Sequence, residues 1–289
     1  DDRIKLFIMI IWLASYPKSG NTLLRSMLSA FFFSNDGNFN FDLLNNIKQF
    51  PDNSLFRNLG IDISNQNEVV KNYIRSQEEI NRRDNKSIRF LKTHSALNDI
   101  NNYKFTDLKN TLGVIYIVRD PRKVVRSYAN HSAITLEDAK KRILEIRTIG
   151  GTTDPLNKTV IHTGSWSSNY NSWKEFKKVK RYFLVKYEDL TSNPEQIFIE
   201  VLKFLHDLAN SKLIINQDKL KKILKTTSFE HLQFLEKQEK FLESPAAPGE
   251  KYVNFFKYGN KKSNNEIPTN IKEELEINLK KDMEELGYL

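Results

Sequence analysis

Residues 12–28 read WLASYPKSGNTLLRSML. An apolar run meets Tyr16-Pro17-Lys18-Ser19-Gly20, and apolar side chains then recur at Leu23, Leu24, Met27, Leu28 and Phe31, the spacing of one helix face. The pattern predicts a buried strand over 4–15, a turn, and a helix over 22–33. At such a joint the first backbone N–H groups of the helix lack intrahelical partners and carry the positive end of its dipole. They converge on one spot, which suits a phosphate. Gly20 lets the backbone approach the anion, Lys18 adds a charge, and Ser19, Asn21 and Thr22 add short polar donors. Alone, the stretch also fits a plain Pro/Gly turn with a solvated lysine. It is no Walker A loop, because GxxxxGK[ST] is absent.

A second joint of the same kind follows GVIYIVR, residues 113–119, where RDPRKVVRSYANH opens a helix at Pro121. Arg119 ends the strand, and Ser127 lies eight residues on, about two helical turns away. Both could hold one phosphate, the guanidinium by a bidentate contact. The alternative is Arg119 paired with Asp120 and Ser127 filling a helix face. A third element is LKTH, residues 91–94, at the end of a short strand over 88–93. His94 there could act as a general base, its ordinary pKa lying near neutrality. A single histidine among five is more often structural.

The remaining periodicity predicts helices over 68–83, 136–149, 166–178, 193–207, 218–225, 229–241 and 271–286, the last capped by Asn270, with a strand over 181–186. Residues 34–66 read as loops with short helices. Strands alternating with helices imply a parallel sheet with right-handed crossovers, in one α/β domain over 1–289 with a P-loop-like strand–loop–helix. Ligands of such sheets bind beyond the carboxyl ends of the strands, where both charged joints fall. The strands near 6–14, 114–119 and 182–187 are expected to be central, parallel and neighbouring, with Lys18 and Arg119 on one cleft. Its walls are expected from 31–65, 131–164 and 236–251, with Phe32, Phe33, Phe39, Phe41, Trp166 and Tyr170 as an aromatic lining.

The chain has 289 residues, 39% apolar and 28% charged, with no cysteine, which excludes disulfides, thiolate metal sites and cysteine nucleophiles. Its net charge of +9 is spread along the chain rather than held in a basic block. That favours a local anion pocket over a nucleic-acid stripe. The apolar run over 4–13 is too short to span a bilayer and lacks a cleavage site, so it reads as a strand rather than a span or signal peptide. A nucleotide kinase would share the strand, loop and helix, but should add a Walker A and an acidic Mg²⁺ ligand, for which only Asp120 stands in place.

Together, YPKSGNT, KTH and RDPRKVVRSY, in that order, resemble the soluble, cytosolic-type sulfotransferases, whose donor is 3′-phosphoadenosine-5′-phosphosulfate. GSWSSNYNSW (164–173), KYEDL (186–190), TTSFEHL (226–232) and FFKYG (255–259) extend the resemblance over nearly the whole chain. The resemblance implies that Lys18, Ser19, Gly20, Asn21 and Thr22 hold the 5′-phosphosulfate, and that Arg119, Ser127, Lys257 and Gly259 hold the 3′-phosphate. Tyr187, Thr227, Ser228 and Phe229 would surround the adenosine, with Leu23 where the family usually has an adenine-stacking tryptophan. His94 would take the acceptor's proton while Lys92 and Lys18 stabilise the transferring group. The rival bases are His131 and a glutamate, as in the related carbohydrate sulfotransferases. No metal is required, and the implied setting is cytoplasmic. Lys257-Tyr258 replaces the usual Arg-Lys, and the family's C-terminal dimer motif is not recognisable. The acceptor implied is a small molecule or a carbohydrate.

Overall fold

Ile10–Ser15 (β1, IIWLAS) and Thr111–Val118 (β4, TLGVIYIV) are buried at every position. Only strands covered on both faces take such unbroken apolar runs. The computed structural model describes residues 9–83, 89–150, 160–239, 241, 243–244, 254–256 and 267–289. Alternate side chains of β1 feed two cores: Trp12 and Ala14 pack with Phe50, Phe105 and Trp173, while Ile11 and Leu13 pack with Leu24, Leu28 and Phe198. Five strands form one parallel sheet in the order β2-β3-β1-β4-β5, with β2 at Lys48–Gln49, β3 at Arg89–Thr93 and β5 at Tyr182–Lys186.

The helices lie between and after these strands. They are α1 (Asn21–Phe33), α2 (Asn53–Asn58), α3 (Gln66–Lys71), α4 (Tyr73–Arg83), α5 (Pro121–Ser132), α6 (Leu136–Leu144), α7 (Trp166–Trp173), α8 (Tyr187–Ser192), α9 (Pro194–Leu208), α10 (Gln217–Thr226), α11 (Phe229–Gln238), α12 (Thr269–Asn278) and α13 (Lys280–Glu285). No helix among the described residues is long and apolar enough to cross a membrane. From β1 the chain runs out to the edge strand β2, comes back to β3 beside β1, then crosses to the other side of β1 as β4. The order therefore reverses at β1, and the crevice at the carboxyl ends of β3, β1 and β4 is the switch point where such sheets bind ligands.

Several expected elements differ. The helix over 68–83 is two helices. The first starts at Gln66, with Asn65 as its cap accepting from the Asn67 and Glu68 N–H groups, and it ends at Asn72, whose Nδ2 donates to the Glu68 carbonyl at 2.8 Å. The last helix starts at Thr269 and breaks at Leu279, so Asn270 lies in its first turn and is no cap. The helix over 166–178 tightens to a 3₁₀ turn from Lys174, and α6 stops at Leu144. β5 is an edge strand of the described sheet rather than a central one, though it pairs with β4 as expected. Neither β2 nor α8 is predicted by periodicity, both being short.

Candidate active site

Lys18, Lys92, His94 and Arg119 all stand at or just beyond strand ends. β1 ends at Ser15, and the turn Tyr16–Gly20 leads into α1, whose amino end has no side-chain cap. Gly20 occupies the left-handed region at φ 99°, and a Cβ there would run into the Tyr187 ring. Lys18 shares that region at φ 68°, a backbone state uncommon for a lysine and typical of constrained sites. β3 ends at Thr93 with Lys92 and His94 either side of it, and β4 ends just before Arg119.

These residues meet in one cleft of about 1160 Å³. Lys18, Gly20, Asn21, Thr22, Leu23, Lys92, His94, Arg119, Ser127, Tyr187, Thr227, Ser228 and Phe229 all line it. Ser19 does not: it is buried behind the turn, and its Oγ has no hydrogen-bond partner. Lys257 and Gly259 lie outside the described residues. Asn21 has a second duty, its Nδ2 donating to the Leu13 carbonyl at 2.9 Å and to Ser15 Oγ at 3.2 Å, which pins α1 to the end of β1. Thr227 Oγ1 likewise bonds the Ile223 carbonyl at 2.8 Å, and Ser228 caps α11.

Arg119 is not paired with Asp120. Asp120 caps α5 by accepting from the Arg122 N–H at 2.9 Å and pairs with the Arg122 guanidinium at 2.7 Å. Arg119 instead lies over the Tyr187 ring, 4.3 Å from its centre, and reaches the Lys18 carbonyl at 3.4 Å, with Nε buried and unpartnered. The strand end thus presents a guanidinium to the anion turn. The carboxylate that a kinase would offer to Mg²⁺ is spent on the helix cap.

The turn after β3 holds a defined tautomer. His94 Nδ1 lies 2.9 Å from the Ser15 carbonyl, which can only accept, so Nδ1 carries the proton and Nε2 a free lone pair. Burial, then the Lys92 charge, push the ring down to about 3, with the Ser15 carbonyl opposing. The imidazole is therefore neutral at neutral pH. Burial and the Lys92 and Arg119 charges push Lys18 down to about 7, and its ammonium sits 4.0 Å over the Phe255 ring. His131 lines the same cleft and is pushed down to about 4, mainly by burial.

Sequence reasoning missed the acid in this cluster. Glu243 bridges Lys92 at 3.1 Å and the buried Arg25 at 2.5 Å. Burial alone would raise Glu243, but these two cations overcome it and hold the carboxyl at about 2. Lys92 is itself lowered, by burial and then the Arg25 charge, against the pull of Glu243. The available signal was Arg25, charged on the helix face that also carries Leu24 and Leu28, since a buried charge demands a partner. The expected aromatic lining is also corrected. Trp166 and Tyr170 are core side chains at 1% exposure, Phe32, Phe33, Phe39 and Phe41 pack into the other core, and no residue of 31–65 lines the cleft. The other two expected wall segments do line it, through His131, Ser132, Arg142 and Arg147–Gly150 of 131–164 and Glu243 of 236–251, joined by Phe255 and Phe256.

The sulfotransferase domain family matches residues 10–287. The chain belongs to that family. Its reaction class is therefore sulfuryl transfer. No curated protein matches the chain in sequence. Among solved structures it is similar to mouse sulfotransferase SULT7A1 complexed with PAP, at 18% identity over 98% of this chain and 88% of that one, with a TM-score of 0.56. It is also similar to retinol dehydratase in complex with androsterone and inactive cofactor PAP, at 16% identity over 98% and 84%, with a TM-score of 0.57. A retinol dehydratase complex with retinol and PAP matches at 15% identity over the same shares, also at 0.57. At these identities the likeness establishes the fold.

Proposed function

We propose that this sulfotransferase takes its sulfuryl group from 3′-phosphoadenosine-5′-phosphosulfate and delivers it to a hydroxyl or amine of a small-molecule or carbohydrate acceptor in the cytoplasm, with His94 as general base. The observation that carries this is the convergence of Lys18, Lys92, His94 and Arg119 from three adjacent strand ends on one cleft. The residues fit the nucleotide: the amino end of α1, uncapped by any side chain, and Arg119, whose buried Nε has no partner, share one cleft with Lys18 and Thr22. PAP in the solved relatives supports the same donor.

When bound, the donor supplies the sulfuryl group and a phosphate leaving group. Lys18, Thr22 and the first N–H groups of α1 would hold its 5′ end. Arg119 and Ser127 would hold the 3′-phosphate, and Tyr187, Leu23, Thr227, Ser228 and Phe229 the adenosine. His94 Nε2 takes the acceptor's proton as the acceptor's oxygen or nitrogen bonds to sulfur and the sulfur–oxygen bond to the phosphate breaks. Lys18 then meets the electron pair left on the phosphate oxygen. Lys92 exchanges Glu243 for the sulfonate oxygens. Fixed cations of this kind lower such barriers, and the loss of one donor typically costs ~10²–10³ in rate. The test is transfer of radiolabelled sulfate from the donor to a panel of phenols, alcohols, amines and sugars. Labelled product is expected with at least one class. Phosphoryl transfer from ATP instead would overturn the reading.

A further inference from the structure

One wall of the cleft that His94 lines is formed by Arg142 of α6 and by Arg147–Gly150 in the turn after it. Hydrogen bonds stitch that wall to the turn after β3. Asn169 Nδ2 donates to the His94 carbonyl at 3.0 Å and to the Thr163 carbonyl at 2.7 Å. Thr163 Oγ1 and the Gly164 N–H in turn donate to the Arg147 carbonyl, at 2.9 and 3.0 Å. One helical turn earlier, the buried Tyr16 hydroxyl donates to the Arg142 carbonyl at 3.0 Å. The backbone at both arginines is thus held by bonds to their carbonyls, and the two guanidinium groups are left to the cleft wall, which both side chains line.

Neither guanidinium pairs with a carboxylate among the described residues; Arg142 lies 5.9 Å from the Tyr128 ring centre. Of the neighbouring arginines, Arg25 is paired with Glu243, and Arg122 with Asp120 and Glu276. Two half-buried guanidinium groups in a cavity wall, without an internal counter-charge, call for an anion from solution. The donor's anionic ends are met by Lys18, Lys92 and Arg119 at the strand ends, so these two remain for the other substrate.

We propose that the acceptor carries an oxyanion, a carboxylate or a phosphate-type group, which Arg142 and Arg147 bind while its hydroxyl or amine faces His94 Nε2. The apolar body between them would lie against Tyr128 and Ile149. This rests on the sulfotransferase reading and deepens it. The two arginines set specificity by holding the far end of the acceptor.

The test is calorimetric binding of phenol probes to the full chain saturated with PAP, which needs no turnover. The probes are 4-hydroxyphenylacetate, its methyl ester, tyramine and (4-hydroxybenzyl)phosphonate. The carboxylate or the phosphonate should bind about tenfold tighter than the ester, with tyramine weakest, as charge-assisted bonds at a half-exposed site allow. The tighter of the two anions identifies the group. Arg142→Gln with Arg147→Gln should bring that ratio near one while PAP affinity stays within about twofold, and Arg142→Lys with Arg147→Lys should keep much of the preference. Equal affinity for all probes, or binding of none, overturns the proposal. A tenfold loss of PAP affinity in the glutamine variant also overturns it, by assigning the arginines to the donor. Failure of the unaltered chain to bind PAP instead removes the donor reading and this proposal with it.

Discussion

Burial and neighbouring cations push Lys18 down to about 7 and His94 to about 3, and the two shifts have opposite uses. A neutral His94 with its proton fixed on Nδ1 is ready to accept at Nε2. His94→Ala should therefore leave PAP affinity nearly intact and cut sulfate transfer by ~10²–10⁴, the usual share of a general base. Near-normal turnover in that variant would move the base to His131. Lys18 faces the reverse demand, because a bound anion favours its ammonium. Its pKa must rise on binding, so the affinity it contributes is full below pH 7 and declines as pH rises through the value in the complex. Calorimetry with PAP in buffers of different ionisation enthalpy should show uptake of up to about one proton at pH 8 and almost none from Lys18 at pH 6. No uptake at pH 8 would show a lysine already charged before binding.

At the scale of elements, the site depends on how strand ends are joined to helices. In the β1–α1 turn, Gly20 takes a left-handed conformation with the Tyr187 ring packed where a Cβ would stand. Gly20→Ala should cost about 1–3 kcal/mol through backbone strain and displaced packing. Thermal unfolding should report that loss, and PAP affinity should fall with it as Tyr187 shifts toward Arg119. An unchanged melting temperature would show a turn loose enough to take a Cβ beside Tyr187. At the β4–α5 joint, Arg119→Ala should weaken PAP by ~1.5–3 kcal/mol, the range for a hydrogen bond to a charged group. Adenosine 5′-phosphate, lacking the 3′ group, should lose far less. Equal losses for both nucleotides would make Arg119 a support for Tyr187 and the turn rather than a ligand. These joints were legible in the sequence because the chemistry of each is local: a strand end, a turn residue and a helix start within about ten positions. Glu243 was not legible, lying 151 residues from Lys92 and 218 from Arg25 in the chain. The break at Asn72 and the split at Leu279 were missed for a different reason, since apolar spacing continues across both while the backbone does not.

At the scale of the molecule, the parallel sheet, its neighbouring strands and the shared cleft followed from three apolar runs that alternate with helices. Trp166 and Tyr170 were misplaced as pocket walls because an aromatic face on a helix reads the same whether it meets a cavity or a core. Here the second layer of the fold takes them, with Trp166 Nε1 donating to the Arg119 carbonyl at 3.2 Å and so bracing the site from behind. The strand order sets the turns after β1 and β4 side by side at the switch point, as the proposed nucleotide with phosphates at both ends of its ribose would require. A triphosphate with Mg²⁺ would need a carboxylate at the β4 end, and Asp120 is held there by Arg122. The most direct test is therefore a paired calorimetric titration of the chain with adenosine 3′,5′-bisphosphate and with ATP–Mg²⁺. The bisphosphate is expected to bind at least about tenfold tighter, the margin one additional charge-assisted phosphate contact supplies. Preference for ATP–Mg²⁺ would contradict the account.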